Sequence, residues 1–215
     1  MFEGCHSLTS IVFGPNFIID KVNVIESMFS GCHSLKAIDL DFNITLETDS
    51  LSYIYEDCYS LTSINMKSFN VSSFDFKDMF HNCYNLEKID IPKFNFISSD
   101  PDFTGMFYGC SLLTSIDLSH LQLNFYQLDK MFYDCPKLQY VDFSSLLGYS
   151  SYYGEIKVFN KNISKNGVLV LNEEFHHIYA YEVYDIYPNG WTLNFVNLTN
   201  YPLFYGNYFN YEQID

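Results

Sequence analysis

The chain has 215 residues, 48% of them apolar and 17% charged, which is enough for one sizeable core and too apolar for a disordered segment. All 11 basic residues are Lys, and the 26 Asp and Glu residues bring the net charge to −15. An acidic chain without Arg makes nucleic acid and anionic membrane surfaces poor partners, and we expect no nucleic-acid ligand. No apolar run approaches the roughly 20 residues that span a bilayer, so no membrane span is predicted in this segment.

The cysteines define an internal repeat. Their spacings along the chain are 27, 26, 25, 27 and 25 residues, and every cysteine of the chain takes part. Around each one the sequence follows Met-Phe-x-x-Cys-x-x-Leu-x-x-Ile-Asp-Leu with few departures. The six positions are Cys5, Cys32, Cys58, Cys83, Cys110 and Cys135.

The segment before each cysteine has the apolar spacing of a helix. In the second copy, apolar residues stand at i, i+3, i+4 and i+7, and the third and fourth copies repeat this spacing. The residues of the second copy are Ile25, Met28, Phe29 and Cys32. The pattern predicts a short helix with one buried stripe.

The segment after each repeat leucine alternates between apolar and polar residues. Ile38-Asp39-Leu40 and Ile116-Asp117-Leu118 are examples, and this period predicts a short strand with one buried face. A unit of about 26 residues cannot cover its own apolar face, so the copies must stack into a solenoid. We therefore expect parallel strands on one side and short helices on the other. Because the first copy begins at Met1, on the Met of the motif, we also expect further repeats to precede it.

Through these units, residues 1–147 resemble the BspA-like leucine-rich repeat family of surface proteins. The departures are Ile54-Tyr55 in place of Met-Phe and Val12 in place of the strand Asp. The resemblance implies a leucine-rich-repeat solenoid, a cell-surface or secreted location, and adhesion or another protein-binding role. It implies no catalytic activity and transfers no catalytic residue.

Three interpretations of the cysteine column are open. Stacked parallel side chains suit neither a zinc site, which needs converging ligands, nor disulfides, whose torsion they rarely allow. The favoured interpretation is a column of small buried side chains, and we predict no metal and no cofactor. A Cys-His nucleophile at Cys5-His6 or Cys32-His33 is disfavoured because adjacent side chains diverge on an extended segment.

The polar residues of the predicted strands form the candidate partner-binding face. They point outward between the buried positions, and a solenoid offers this face as an extended concave area. The residues are Asp39, Asn65, Lys88, Asp90, Ser115, Asp117, Tyr140 and Asp142. The alternative is that an exposed sheet face simply needs polar residues.

The repeat ends near Leu147, and residues 148–215 are predicted to form a small C-terminal α/β cap with an aromatic and Asn-rich tail. Strands are predicted at 155–159, 168–171 and 191–196, with a helix beginning at Asn172. The nearby cluster of Glu173, Glu174, His176 and His177 lacks the order of a zinc-protease helix, so it is assigned to a polar helix face.

The sequence thus predicts a non-enzymatic recognition segment of a cell-surface or secreted protein. An intracellular leucine-rich-repeat scaffold with free thiols is the alternative. Four sites match the glycan acceptor pattern, which is relevant only in a secreted eukaryotic protein; they are Asn43, Asn70, Asn162 and Asn197.

Overall fold

The fold is taken from a computed structural model of the chain. The residues that the structure describes are 1–13, 25–39, 44–46, 50–65, 69–71, 75–91, 101–121, 123–146, 156–173, 188 and 190–196. The strands within these ranges are β1 (Ser10–Val12), β2 (Ala37–Asp39), β3 (Ile44–Leu46), β4 (Ser63–Asn65), β5 (Phe69–Val71), β6 (Ser115–Asp117), β7 (Tyr140–Phe143), β8 (Val168–Asn172) and β9 (Thr192–Val196).

The repeat strands pair in parallel, one coil to the next, as a leucine-rich-repeat solenoid requires. One sheet has the order β1-β2-β4 and a second has the order β6-β7-β8-β9. The register places equivalent residues side by side, for example Ile11 beside Ile38 and Ile116 beside Val141. The solenoid architecture is therefore confirmed, with one copy of the motif per coil.

Two features of the strands differ from the prediction. In the fourth copy, Ile89 and Ile91 are buried and Asp90 is exposed as expected, but this segment is not a strand, so the three-stranded and four-stranded sheets are separate. A further parallel pair, β3 with β5, lies in the connections, where no strand was predicted.

The predicted short helix is replaced by two consecutive turns. In the second copy Ser27 and Gly31 have φ of 55° and 72°, in the left-handed region, and such residues interrupt a helix. Met28 N–H and Cys32 N–H each bond to the carbonyl three residues back. Alternate N–H groups instead donate to the next coil, in the pairs Ser27 to Ser52, Phe29 to Ile54 and Gly31 to Glu56, at 3.1, 2.9 and 2.9 Å. The helical element among the described residues is a 3₁₀ turn at Phe125–Leu128.

The core is a set of side-chain columns that run along the solenoid. The aromatic residue three positions before each cysteine stacks on its neighbours, and Phe159 continues the stack past the last repeat, with ring centroids 5.4 to 5.7 Å apart. This core ring column contains Phe2, Phe29, Tyr55, Phe80, Phe107, Phe132 and Phe159. Beside it lie the buried repeat leucines and the inward residues of the strands. Shared columns explain why one unit has no core of its own.

After the last repeat the sheet continues. The predicted strands at 168–171 and 191–196 are present as β8 and β9, and both extend the sheet of β6 and β7 in parallel. Segment 155–159 is described from Ile156 on and forms an isolated parallel bridge from Phe159 to Phe132. Trp191 packs on Phe159 at 5.5 Å and closes the core ring column.

Other parts of the C-terminal prediction are less fully described. Asn172 is the last residue of β8, and the predicted helix after it lies outside the described residues, as does the tail from 197 on. The boundary at residue 147 remains a prediction. Across the described ranges, no helix has the length and apolar character needed to traverse a lipid bilayer.

Candidate functional site

The outward side of β6 and β7 is the best-defined part of the predicted partner-binding face. The register places Ser115 beside Tyr140 and Asp117 beside Asp142. Tyr140 is 37% exposed, and its hydroxyl donates to Asp142 Oδ2 at 3.1 Å. Partial burial, and then the negative charge of Asp142, raise the pKa of Tyr140, so the phenol remains a neutral donor.

The two carboxylates of this surface are held in the same way. Asp117 Oδ1 accepts a bond from the backbone N–H of Ser119, and Asp142 Oδ1 accepts one from the N–H of Ser144, both at 2.9 Å. One oxygen of each carboxylate is therefore held by a backbone N–H group two residues later, and the two side chains lie side by side on adjacent strands. The arrangement is a preorganised polar surface with an aromatic ring beside it.

The other predicted residues of this face are more scattered. Lys88 and Asp90 are exposed, but they belong to the fourth copy, which is not a strand. Asp39 and Asn65 pair in register on β2 and β4, beside Val12 on β1; for these two residues the backbone register alone is described. The structure thus brings together Ser115, Asp117, Tyr140 and Asp142 as one patch, which we call the β6-β7 patch.

The turn side of the solenoid has an aromatic ladder on its surface. It is formed by the residue after the cysteine in each of the first four copies: His6, His33, Tyr59 and Tyr84. Successive ring centroids are 4.3, 4.4 and 5.0 Å apart, and the rings lie within 20° of parallel. We call it the surface ring ladder.

Carboxylates lie close to the surface ring ladder. Asp57 accepts a 2.9 Å bond from Asn82 Nδ2. Partial burial, and then the charge of Asp57, raise the pKa of Tyr59. Burial, followed by Asp57, likewise raises the pKa of Glu56, which also accepts a 3.3 Å bond from the Ser30 hydroxyl. This side of the solenoid therefore combines stacked rings with negative charge.

The cysteine column is buried and has a defined bonding role. Each thiol from Cys32 onward donates to the carbonyl of the core ring residue one coil earlier, at 3.1 to 3.3 Å. Burial raises the pKa of Cys58 and Cys135 to about 12. All six cysteines are free, and five of them are buried, which supports their interpretation as small buried side chains rather than disulfides. Cys5 is the exposed member of the column. Within the described ranges no cluster of three or more His, Cys, Asp or Glu side chains is arranged to hold a metal ion.

Comparison with protein families gives one match, to the BspA type leucine-rich repeat region. It finds six copies, over residues 1–101 and 51–163, so most of the chain is covered. The chain belongs to the BspA-type leucine-rich-repeat family. Neither curated proteins nor solved structures gave a match.

The surface ring ladder of this BspA-type protein was missed by the sequence analysis. His6 and His33 were considered as partners of the cysteines that precede them, whereas the structure stacks them on each other at 4.3 Å. The available signal was the ring at the position after cysteine in four consecutive copies. In the fifth copy Ser111 takes this position, and the ladder ends.

Proposed function

We propose that this BspA-type protein is a non-catalytic recognition module that binds a protein ligand through its strand face, at the cell surface or after secretion. The observation that carries the proposal is the β6-β7 patch. Parallel pairing sets Asp117 beside Asp142, and the exposed Tyr140 is fixed against the second of them. Exposed tyrosines flanked by anchored polar groups are frequent in protein-binding surfaces.

An oxidising environment is compatible with this structure. The thiols of Cys58, Cys83, Cys110 and Cys135 are fully buried, and burial raises the pKa of each. Because the thiolate is the reactive form, these groups resist disulfide formation. Buried free thiols suit either compartment, so the family resemblance alone supplies the expectation of a surface location and of adhesion.

Binding is tested with fluorescently labelled protein on intact cells of the source organism and of its neighbours. The double variant Asp117→Asn with Asp142→Asn retains the Oδ1 acceptors but removes two charges. Glu3→Gln with Glu87→Gln is the matched control, because both glutamates are exposed and the charge change is equal. We expect at least a fivefold loss of bound protein for the aspartate pair and no change for the glutamate pair. Unchanged binding by the aspartate pair, or equal loss in both, contradicts a specific role of the β6-β7 patch.

The location is tested separately with an epitope tag on the native gene product. Surface biotinylation of intact cells and analysis of the medium should label or recover the protein. Recovery only after cell lysis would favour the intracellular scaffold.

A further inference from the structure

The last ring of the surface ring ladder is open on one side. Tyr84 stacks on Tyr59 at 5.0 Å, and Tyr59 is the one ring contact the structure gives it within the described residues. Tyr84 is 39% exposed, one of four large apolar or aromatic side chains so exposed in the described part of the chain.

At the position equivalent to Tyr84, the next coil carries a small side chain instead of a ring. The residue there is Ser111, and its hydroxyl donates to the carbonyl of Gly109 at 3.2 Å, so it is turned back onto its own backbone. An incoming flat group can therefore stack on Tyr84 at the spacing that the ladder already uses.

The charge beside the ladder selects a cationic group. Asp57 lies beside the ladder, because its Oδ1 accepts a 2.9 Å bond from Asn82 Nδ2, two residues before Tyr84. Partial burial, then Asp57, with smaller contributions from Tyr84 and Glu56, raise the pKa of Tyr59. The ion pairs that the described residues form are His81 with Asp78 and Lys130 with Asp129, and neither contains Glu56 or Asp57. A planar cation gains ring stacking and charge complementarity at once.

We propose that the open face of Tyr84 is the docking point for an arginine side chain of a basic segment in a partner protein. The guanidinium stacks on the ring as a fifth member of the ladder, and neighbouring basic residues of the segment face Glu56 and Asp57. The basic segment is not drawn from these 215 residues, because they contain no arginine. The site is separate from the β6-β7 patch, so its test does not depend on whether the proposed function is correct.

The test uses the whole chain and a fluorescent peptide of ten arginines, with fluorescence anisotropy as the readout at 50 and 150 mM salt. Tyr84→Ala should weaken binding by about tenfold, whereas Tyr84→Phe retains the ring and should bind within about twofold of the parent. Ser111→Tyr should also weaken binding, because the new ring occupies the fifth place. Val12→Ala, at an exposed apolar side chain outside both sites, is the control and should leave binding unchanged.

A ten-lysine peptide separates stacking from charge alone, since the ammonium is not planar. We expect it to bind more weakly than the arginine peptide and to be much less sensitive to Tyr84→Ala. Equal binding of both peptides without dependence on Tyr84 overturns the proposal. So does Tyr84-dependent binding of a neutral oligosaccharide in the absence of arginine-peptide binding, which would assign the ring to sugar recognition.

Discussion

Removing the hydroxyl of Tyr55 should stabilise the protein. Tyr55 replaces phenylalanine in the core ring column, between Phe29 at 5.6 Å and Phe80 at 5.4 Å, and its side chain is 0% exposed. Its hydroxyl oxygen is buried without a hydrogen-bond partner among the described residues. Tyr55→Phe retains both ring contacts and removes only this unpaired group.

Two opposing free energies set the size of the effect. An unpaired buried hydroxyl costs about 1–3 kcal/mol in protein mutation series. The space left by one oxygen is roughly 10–15 Å³, and at about 24 cal/mol per Å³ it costs only about 0.3 kcal/mol. The net expectation is that Tyr55→Phe raises the free energy of unfolding by about 0.7–2.7 kcal/mol.

Urea denaturation followed by far-UV circular dichroism measures the change. The midpoint should rise without a change in the slope, because the surface exposed on unfolding is almost the same. Phe80→Tyr is the reverse control, since it adds a hydroxyl at the neighbouring place in the column and should lower the midpoint. A loss of about 1 kcal/mol or more in Tyr55→Phe would show that the hydroxyl is paired in solution and would refute the reasoning.

Three further predictions concern other parts of the solenoid. In the native protein only the exposed thiol of Cys5 should react rapidly with a disulfide reagent, and rapid titration of more than one thiol per chain would contradict the burial of the column. The contact of His81 with Asp78 at 3.2 Å raises the pKa of His81 above its usual 6.5. The contact therefore stabilises the fold fully below pH 6.5, and progressively less as the pH rises through the pKa of His81 in the folded protein. His81→Asn should therefore destabilise more at pH 5.5 than at pH 8 in urea titrations, and an equal loss at both would exclude the ion pair as the cause. Gly105→Ala should lower the stability more than Gly4→Ala does. Both glycines have positive φ, which costs an alanine about 1–2 kcal/mol at either position, but a Cβ at Gly105 also meets the Asp78 carboxylate, whereas one at Gly4 meets nothing within 4 Å. Equal shifts of the thermal midpoint in the two variants would contradict this contact.

The sequence predicted the repeat, the repeat strands other than the one missing from the fourth copy, and the inward residues of the strands, because these depend on spacing that the copies share. The helix was predicted wrongly because two consecutive turns bury the same stripe, as Ile25, Met28, Phe29 and Cys32 do. A finer signal was present. The residue before each cysteine has positive φ and is glycine, Asp or Asn in every copy, as in Gly31 and Asn82.

At the candidate site, equivalent outward residues of adjacent strands lie side by side because the strands pair in a parallel register. The position of Asp117 beside Asp142 was therefore predictable. The interruption at the fourth copy was not, because Ile89-Asp90-Ile91 has the same alternation as its neighbours. The stacking of His33 on Tyr59 could have been inferred from the ring that follows the cysteine in four copies, but the sequence does not give the displacement between coils that sets the 4.4 Å ring distance.

The bonding of the core ring residues has a consequence for how such a chain can change length. The carbonyl of Phe29 accepts both the N–H of Cys32 in its own coil and the thiol of Cys58 in the next, and the carbonyl of Phe80 is used in the same way by Cys83 and Cys110. Each coil therefore donates its thiol to the core ring carbonyl of the coil before, and its own core ring carbonyl accepts the thiol of the coil after. Duplication or deletion of one whole unit in the gene would preserve this thiol-to-carbonyl bond at every junction, and variation of a residue or two is absorbed in the connections, as the spacings of 25 to 27 residues show. Loss of part of a unit would instead leave a thiol and a carbonyl without their counterparts, so recombination in steps of one repeat is the change that this architecture tolerates.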